Sequence, residues 1–570
     1  MTPFLRRFGF KKKVPVHFID PDEIFLDSGN LPGFDTQQFE GRIERPISKN
    51  TLSSIGVVCA FLALIFFGRF VYLQLIKGDY YFTKSQNNSL DTEPIFARRG
   101  LIYDRNGQLL VWNTATSQEE VGAIPERSYI RSSGFAHILG YVSYPTKDTS
   151  GNFWQSDFVG KGGVEKKYDT RLKGKNGTKI KEMNATGEVQ SENMVNPPID
   201  GEGLYLSIDA RVQEQMYAAI KELSGMSGYR GGAGLIMDVQ TGELLTLTSY
   251  PEYDPDIVSK GDNKELIREY LTSSQTPLIN RAVAGLYTPG SIVKPFVAMG
   301  ALTENVIDPY KKILSTGSIS IPNPYNPKLK TTFKDNKAHG WVDMRHAIAV
   351  SSNVYFYEVG GGFQGQKGLG ILNLEKYFRL FSLGRKSGID LDGEREGNIP
   401  SPDWKAKHFK NDPWRIGDTY NTAIGQYGVQ VTPVEMVRAI GAVANYGTLV
   451  TPHVLKDDPV LSAQKEVLPL AREDFDVVHD GMRLVVTEGT AHFLNLKNVT
   501  ASAKTGTAQI GAQKQFVNSW AVGFFPSEHP RYAFAVLMES APNKGATGAA
   551  FAMGKVLDWM SVYTPEYTKN

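Results

Sequence analysis

Three short motifs occur in an order that can assemble a site for acyl transfer. They are Ser291–Lys294, which reads S-x-x-K, then Ser351–Asn353, which reads S-x-N, and Lys504–Gly506, which reads K-T-G. A serine beside a lysine can provide a nucleophile and its base, and a later lysine can provide a cation for a carboxylate. The trio therefore predicts a serine enzyme that forms a covalent acyl intermediate.

Each motif alone is weak evidence, because the first two recur elsewhere in the chain. A second S-x-x-K lies at Ser462–Lys465, within the polar stretch Lys456–Lys465, for which we predict a solvated loop. Ser291 instead follows Tyr287–Gly290 and precedes the apolar run Pro295–Met299, which places it at a turn entering a helix. A helix-capping serine is the alternative, and the order of the three motifs favours the nucleophile.

Lys294 is the candidate general base. On a helix it lies beside Ser291 on the same face. It can take the serine proton only if its pKa is lowered by burial or by a second cation, which Lys504 can supply. The apolar neighbours of Lys294 disfavour the alternative of a surface lysine.

The second motif offers polar groups for the same site. Ser351 can relay a proton to the leaving group, and Asn353 can hold the substrate amide or orient Lys294. A helix cap with adjacent polar residues is the alternative, and it would be favoured if this motif stood alone.

The K-T-G segment follows small and β-favouring residues, which predicts a strand that lines a cleft. Lys504 and Thr505 can bind a terminal carboxylate. Gly506 leaves room for a peptide substrate to approach the backbone. The backbone N–H groups of Ser291 and Thr507 can stabilise an oxyanion.

The chain has 570 residues, which is more than one domain normally holds. Its apolar content of 41% is enough to form the packed cores that must position these residues. The formal net charge of +2 gives no case for a nucleic-acid partner. The single cysteine, Cys59, lies in the apolar segment described next, so the rest of the chain must rest on its packed cores without disulfides.

The segment 50–76 predicts a transmembrane signal-anchor helix. Its only charge is Arg69, near one end, and its length is sufficient for a bilayer. A buried core helix and a cleaved signal peptide are the alternatives, but the run has no polar face and a long lead precedes it. The basic residues Arg42, Arg45 and Lys49 favour a cytoplasmic N-terminus and an exported C-terminal bulk.

Periodicity divides the remainder. Residues 1–49 predict a disordered cytoplasmic tail, 77–230 a non-catalytic region of short strands and loops, and 231–565 the catalytic region. Local patterns predict a turn after Tyr103, hairpins and terminal helices. The predicted elements are a helix at Ala210–Leu223, hairpins at 234–248 and 516–538, and a helix at Ala549–Met560.

The motif trio resembles that of the penicillin-recognising serine enzymes. Further segments resemble class B penicillin-binding proteins, and most of all the elongation-type group, penicillin-binding protein 2. These segments are Arg99–Gly107, Gly163–Gly174, Met237–Gly242, Tyr253–Pro255, His339–Gly340, Pro400–Lys405 and Trp414–Gln426. The resemblance covers nearly everything from about residue 60 onward.

This resemblance implies a mixed α/β fold, with an antiparallel sheet flanked by helices, an elongated α+β pedestal and one transmembrane helix. It implies a peptidoglycan D,D-transpeptidase with Ser291 as nucleophile, acting in cell-wall elongation and acylated by β-lactams. A D,D-carboxypeptidase, a β-lactamase, a division-type transpeptidase and a penicillin-binding sensor are the alternatives.

The resemblance also implies no metal and no cofactor, and a separate SEDS-family glycan polymerase with other elongation-complex proteins as partners. We expect no glycan-polymerising activity in the chain, because Glu165 sits in a glycine-rich, basic setting typical of a helix start or pedestal contact. Two residues depart from the family pattern: Asn353, where an aspartate often stands, and Tyr427, where a glycine often stands.

Overall fold

The computed structural model describes residues 48–82, 90–114, 124–183, 189–323, 326–543 and 546–569. It divides into two compact units, Met1–Ser89 and Leu90–Asn570. Of the predicted tail only Ser48 and Lys49 are described, so the tail and the upstream basic residues lie outside the described part of the chain.

The first unit contains an apolar helix. It is α-helical over Lys49–Val71 and π-helical over Tyr72–Ile76. Ser48 caps it by accepting a hydrogen bond from Thr51 N at 3.1 Å. The 28-residue segment Lys49–Ile76 contains an 18-residue window with a mean hydropathy of 2.2 and no buried residue, so it is long and apolar enough to cross a bilayer. This exposure disfavours a soluble core helix and fits a single-pass membrane protein.

The second unit begins with small sheets. A four-stranded sheet has the order Leu204–Tyr205, Ile102–Tyr103, Leu109–Thr114, Glu126–Tyr129, and a three-stranded sheet has the order Leu90–Ile95, Gly177–Met183, Val189–Asn196. The predicted turn after Tyr103 is confirmed, because Asp104 Oδ1 accepts hydrogen bonds from the N–H groups of Asn106 and Gln108. Short elements complete this part: the strands Val142–Ser143, Thr146–Lys147, Phe153–Gln155 and Val159–Gly160, and the helices Ala136–Leu139, Gly163–Lys167 and Asp169–Leu172.

Glu165 is fully buried in this part of the unit. Its carboxylate accepts hydrogen bonds from Arg99 Nε at 2.5 Å and from Arg127 Nε at 2.8 Å. Both guanidinium groups are themselves buried. The predicted helix start is present, because Glu165 lies in the first turn of helix Gly163–Lys167, and its carboxylate is held by two buried arginines.

A five-stranded antiparallel sheet forms the centre of the unit. Its order is Leu244–Tyr250, Gly231–Asp238, Tyr532–Pro542, Phe516–Phe525, Ser502–Ile510. Both predicted hairpins are present in it, and the K-T-G motif lies in an edge strand. Helix Ala210–Ser227 extends past its predicted end to Gly228, whose φ of +72° terminates it.

Helices cover both faces of this sheet. A side chain at Gly234 would meet Met216 of helix Ala210–Ser227, whereas Met237 contacts Gly441 of helix Pro433–Ala444. Since alternate residues of a strand point to opposite faces, these two helices lie on opposite sides. Strand Gly231–Asp238 is consequently buried at every position, as in sheets that are covered on both faces.

The remaining elements connect and surround the sheet. The helices are Pro255–Lys260, Lys264–Thr272, Arg281–Ala284, Lys294–Thr303, Met344–Ala349, Asn353–Gly361, Ile371–Leu380, Pro402–His408, Ile416–Ala423, Pro459–Ser462, Arg472–Thr487 and Ala549–Tyr563, with 3-10 turns at Gly290–Val293, His492–Leu494 and Pro565–Tyr567. The strands are Ile313–Ser315, Ser318–Asn323, Asn326–Lys334, Gly340–Val342, Thr448–Val450 and Lys465–Val467.

The segment Lys456–Lys465 is solvated, as predicted, but it is not a loop throughout. The segment contains a one-turn helix at Pro459–Ser462. Asp458 accepts hydrogen bonds from Val460 N and Leu461 N, and Pro459 occupies the first helical position. These capping residues fold a stretch whose polarity alone suggested a loop.

Candidate active site

Ser291 lies in the 3-10 turn Gly290–Val293, directly before the α-helix Lys294–Thr303. The helix is apolar on all sides and buried from Lys294 to Leu302, so Lys294 enters the protein interior. The predicted turn into a helix is therefore present, and Ser291 remains partly exposed at its start.

Glycines surround this turn closely. Gly290 has a φ of +60° and donates a hydrogen bond to Gly425 O at 2.9 Å. A Cβ atom at Gly425 would come within 2.1 Å of Gly290 O, and one at Gly506 within 2.7 Å of Pro289 O. The K-T-G strand can therefore lie against the turn that carries Ser291 only because Gly506 has no side chain.

Trp520 fastens the same turn from the neighbouring strand. It is the register partner of Gly506 and is fully buried. Its indole Nε1 donates to Thr288 O at 3.1 Å. The sheet thus holds the segment before Ser291 by a side-chain hydrogen bond as well as by backbone contact.

The amine of Lys294 meets the second motif. Its Nζ donates to Ser351 O at 2.7 Å and to Asn353 Oδ1 at 2.8 Å, and it lies 3.3 Å from Ser351 Oγ. Ser351 has a φ of +59°, in the left-handed region that few non-glycine residues adopt. In this conformation both the carbonyl oxygen and the hydroxyl of Ser351 face Lys294 Nζ.

Burial sets the protonation of the two motif lysines. It lowers the pKa of Lys294 to about 7, although Asp335 acts in the opposite direction. Burial and the nearby charge of Lys294 together hold the pKa of Lys504 well below its usual range. A neutral Lys294 amine is therefore accessible near neutral pH, which is what a general base requires.

The S-x-N motif lies at the start of helix Asn353–Gly361. Ser352 caps that helix by accepting from Tyr355 N at 3.3 Å. Asp335 provides a second cap, since its carboxylate accepts from Asn353 N and Val354 N, each at 2.9 Å. The motif is thus both a helix cap and a set of partners for Lys294.

The three motifs meet at one cavity of about 380 Å³. Its wall includes the predicted residues Ser291, Ser351, Asn353, Thr505, Gly506 and Thr507. Lys294 and Lys504 are fully shielded from solvent and lie behind this wall. Lys504 Nζ donates to Thr505 O at 3.0 Å. Ser462 does not line the cavity.

Sequence reasoning missed several residues of this site. Asn336, Thr490 and Phe493 line the cavity, and Thr490 shares a short hydroxyl hydrogen bond with Thr505. Asp335 supports the second motif from behind. None of these residues belongs to a motif with recognisable spacing, so only the folded chain brings them to the site.

Comparison with known proteins agrees with this geometry. The family model for the penicillin-binding protein transpeptidase domain matches residues 232–557, and the model for the penicillin-binding protein dimerisation domain matches residues 119–206. Among curated relatives, peptidoglycan D,D-transpeptidase MrdA of Acinetobacter baumannii is 29% identical, with 86% of this chain and 85% of the relative aligned.

Solved structures of two relatives have the same fold. Penicillin-binding protein 2 of Helicobacter pylori, in complex with MreC, is 27% identical with a TM-score of 0.68, covering 83% of this chain and 98% of that one. Penicillin-binding protein 2 of Pseudomonas aeruginosa, in complex with WCK 5153, is 29% identical with a TM-score of 0.67, covering 84% of this chain and 98% of that one. The predicted mixed α/β fold is confirmed, and the chain belongs to the penicillin-binding protein transpeptidase family.

Proposed function

We propose that this chain is the peptidoglycan D,D-transpeptidase of cell-wall elongation, with Ser291 as the residue that carries the acyl group. The observation that carries the proposal is the position of the buried Lys294 amine. It is held by Ser351 and Asn353 behind a cavity that Ser291 and the K-T-G strand line. The curated relatives named as peptidoglycan D,D-transpeptidases support the same reaction.

The first half of the reaction forms the acyl-enzyme. Ser291 Oγ attacks the carbonyl carbon of the penultimate D-alanine of a stem peptide as its proton passes to the neutral amine of Lys294. The N–H groups of Ser291 and Thr507 stabilise the oxyanion. When the amide C–N bond breaks, the proton returns from Lys294 through Ser351 Oγ to the nitrogen of the departing D-alanine.

Substrate is held by the K-T-G strand. Thr505 lines the cavity with its hydroxyl beside that of Thr490, while the Lys504 amine lies buried next to it. A terminal carboxylate bound by Thr505 favours the protonated form of Lys504, because an opposite charge offsets the penalty of burial. The strand can therefore distinguish a peptide that ends in a free carboxylate from an internal peptide bond.

In the second half an amine of a neighbouring stem peptide attacks the acyl carbon. Lys294 takes a proton from that amine, the Ser291 ester bond breaks, and the proton returns to Ser291 Oγ. A β-lactam acylates Ser291 in the same way but has its leaving group tethered by the ring, so the serine stays blocked.

We further propose the division of the chain and its surroundings. Residues 77–230 act as a pedestal and 231–565 as the catalytic region, with the N-terminus in the cytoplasm and both of these outside the membrane. The Helicobacter relative was solved with MreC. This supports a pedestal that docks elongation-complex proteins, with a SEDS-family polymerase supplying the glycan.

Product analysis tests the function. The purified full-length chain is incubated with lipid II and a candidate polymerase, and the digested products are analysed by mass spectrometry. Cross-linked stem peptides lacking one D-alanine are expected, and Ser291→Ala should give none. Trimmed but unlinked peptides would instead identify a D,D-carboxypeptidase, and glycan made by the chain alone would contradict the need for a separate polymerase.

A further inference from the structure

Asp335 immediately follows strand Asn326–Lys334 and has a side chain with no exposure to solvent. Both of its carboxylate oxygens are occupied. Oδ1 accepts from Asn353 N and from Asn336 N, each at 2.9 Å. Oδ2 accepts from Ser352 Oγ at 2.7 Å and from Val354 N at 2.9 Å.

This arrangement requires a carboxylate. Two of its donors are backbone N–H groups in the first turn of helix Asn353–Gly361, where the helix dipole favours negative charge. Ser315 Oγ adds a further donor at 3.2 Å from Oδ2. An asparagine amide would present N–H groups to one of these sets of donors, so it could satisfy only half of them.

The same groups connect Asp335 to the reacting lysine. The carboxylate of Asp335 accepts hydrogen bonds from the backbone N–H of Asn353 and the hydroxyl of Ser352. On the other side of the motif, Ser351 and Asn353 accept hydrogen bonds from Lys294 Nζ. We propose that Asp335 is a positioning residue of the transpeptidase reaction, which fixes the S-S-N turn so that Ser351 and Asn353 aim the amine of Lys294 at the serine.

The proposal rests on the function proposed above and deepens it. It also explains how the site works with Asn353 in place of an aspartate. Asp335 supplies the negative charge that an aspartate at position 353 would supply. It lies behind the second motif and does not contact Lys294 directly. Although burial alone would raise it, hydrogen bonds from Asn353, Val354 and Ser352 hold the pKa of Asp335 below its usual range. It therefore stays ionised at neutral pH.

Three charged or titratable groups face Lys294 from the elements around it. Asp335 stabilises its protonated form, whereas Lys504 is a second cation and His339 lies 3.7 Å from Asp335. Burial lowers the pKa of His339, so this imidazole is neutral at pH 7. Asp335 is thus the negative charge in this set, and its loss must lower the pKa of Lys294 further.

The test measures acylation of Ser291 by a fluorescent penicillin, for the full-length chain, from about pH 5 to about pH 10. Asp335→Asn should slow acylation by about 10²-fold through loss of alignment. The acid limb of its pH–rate profile, where the rate rises as Lys294 loses its proton, should move to lower pH. The reason is that Lys294 without the nearby anion releases its proton more easily. A purely structural role would lower the melting temperature without moving that limb.

A matched control is Asp343→Asn, which alters the capping aspartate of the adjacent helix Met344–Ala349 and should leave the rate and the limb unchanged. If Asp335→Asn does not fold, Ser352→Ala removes one donor to the carboxylate and should slow acylation roughly fivefold. Wild-type rate and pH profile in Asp335→Asn, or a wild-type rate in Ser352→Ala, would overturn the proposal. Cross-linking by the wild-type chain would still stand in that case, so the two failures are distinguishable.

Discussion

Lys294 donates a 2.8 Å hydrogen bond to the amide oxygen of Asn353. The acceptor is neutral, so the closest side-chain partner of the buried amine gives orientation without the full stabilisation that an anion would give its charged form. With burial holding the pKa of Lys294 to about 7, the lysine is divided between its two protonation states near neutral pH. This balance can be disturbed in a predictable direction.

Asn353→Asp should shift the pH dependence of acylation. A carboxylate at this distance stabilises the Lys294 cation and raises its pKa by about one to three units. The neutral amine then becomes scarce at pH 7, so acylation slows there and recovers as the pH rises. Stopped-flow labelling with a fluorescent penicillin across pH measures this. An acid limb that stays in place would show that Asn353 does not set the protonation of Lys294.

Ser291→Ala should abolish covalent labelling by penicillin. The reason is that Ser291 is the proposed nucleophile, and a methyl group in place of its hydroxyl cannot form the ester. Ser462→Ala is the matched control, because Ser462 begins the other S-x-x-K sequence but does not line the cavity. Peptide mapping should find the adduct on Ser291 alone, and an adduct on Ser462 would refute the assignment.

Lys294→Met should cost activity and change stability with a sign that depends on pH. Acylation should fall by about 10²–10⁴-fold with the loss of the general base. In the folded chain the lysine pKa drops from 10.5 to about 7. The unfolded chain therefore protonates this lysine more readily than the folded chain does. This difference lowers the free energy of unfolding of the wild type by at most about 5 kcal/mol below pH 7, and by nothing above pH 10.5.

Lys294→Met removes this pH-dependent cost, which stabilises the variant. It also leaves the Ser351 and Asn353 oxygens without a hydrogen-bond donor, which destabilises it by about 1–3 kcal/mol each. The variant should therefore be more stable than the wild type by about 1 kcal/mol at pH 6 and less stable at pH 10. Chemical unfolding followed by tryptophan fluorescence measures the stability at both pH values.

Lys405→Met is the control, because Lys405 donates to Asp418 at 2.6 Å and its loss should destabilise the chain at both pH values. The same sign for Lys294→Met at both pH values would contradict the burial argument.

Glu165→Ala should destabilise the chain by about 3–5 kcal/mol, because the buried Arg127 loses its carboxylate partner and Arg99 keeps only its ion pair with Asp169. Penicillin labelling of the folded fraction should persist. Thermal unfolding measures the loss, and Glu202→Ala, which removes an exposed ion pair with Arg171, should leave the transition in place. A stable Glu165→Ala variant that loses an enzymatic activity would instead give Glu165 a chemical role.

The motif residues could be predicted from sequence because each has a local signature. Ser291 stands at a turn before an apolar run, and Lys504 follows residues that favour a strand. Asp335 and Thr490 could not, because their contacts with Ser352 and Thr505 join separate elements, 17 and 15 residues apart, and arise only from packing. The helix at Pro459–Ser462 was missed for a different reason: its cap and proline outweigh the polarity of the segment.

The tight fit of Gly290, Gly425 and Gly506 around Ser291 bears on how drug resistance could arise. A side chain at Gly425 or Gly506 would collide with backbone atoms of the turn that carries Ser291, so such a substitution harms the natural reaction as much as the reaction with the drug. Selection by an antibiotic must therefore act elsewhere. The open rim of the cavity, at a residue such as Phe493, is where a change can obstruct an inhibitor without disturbing these glycines.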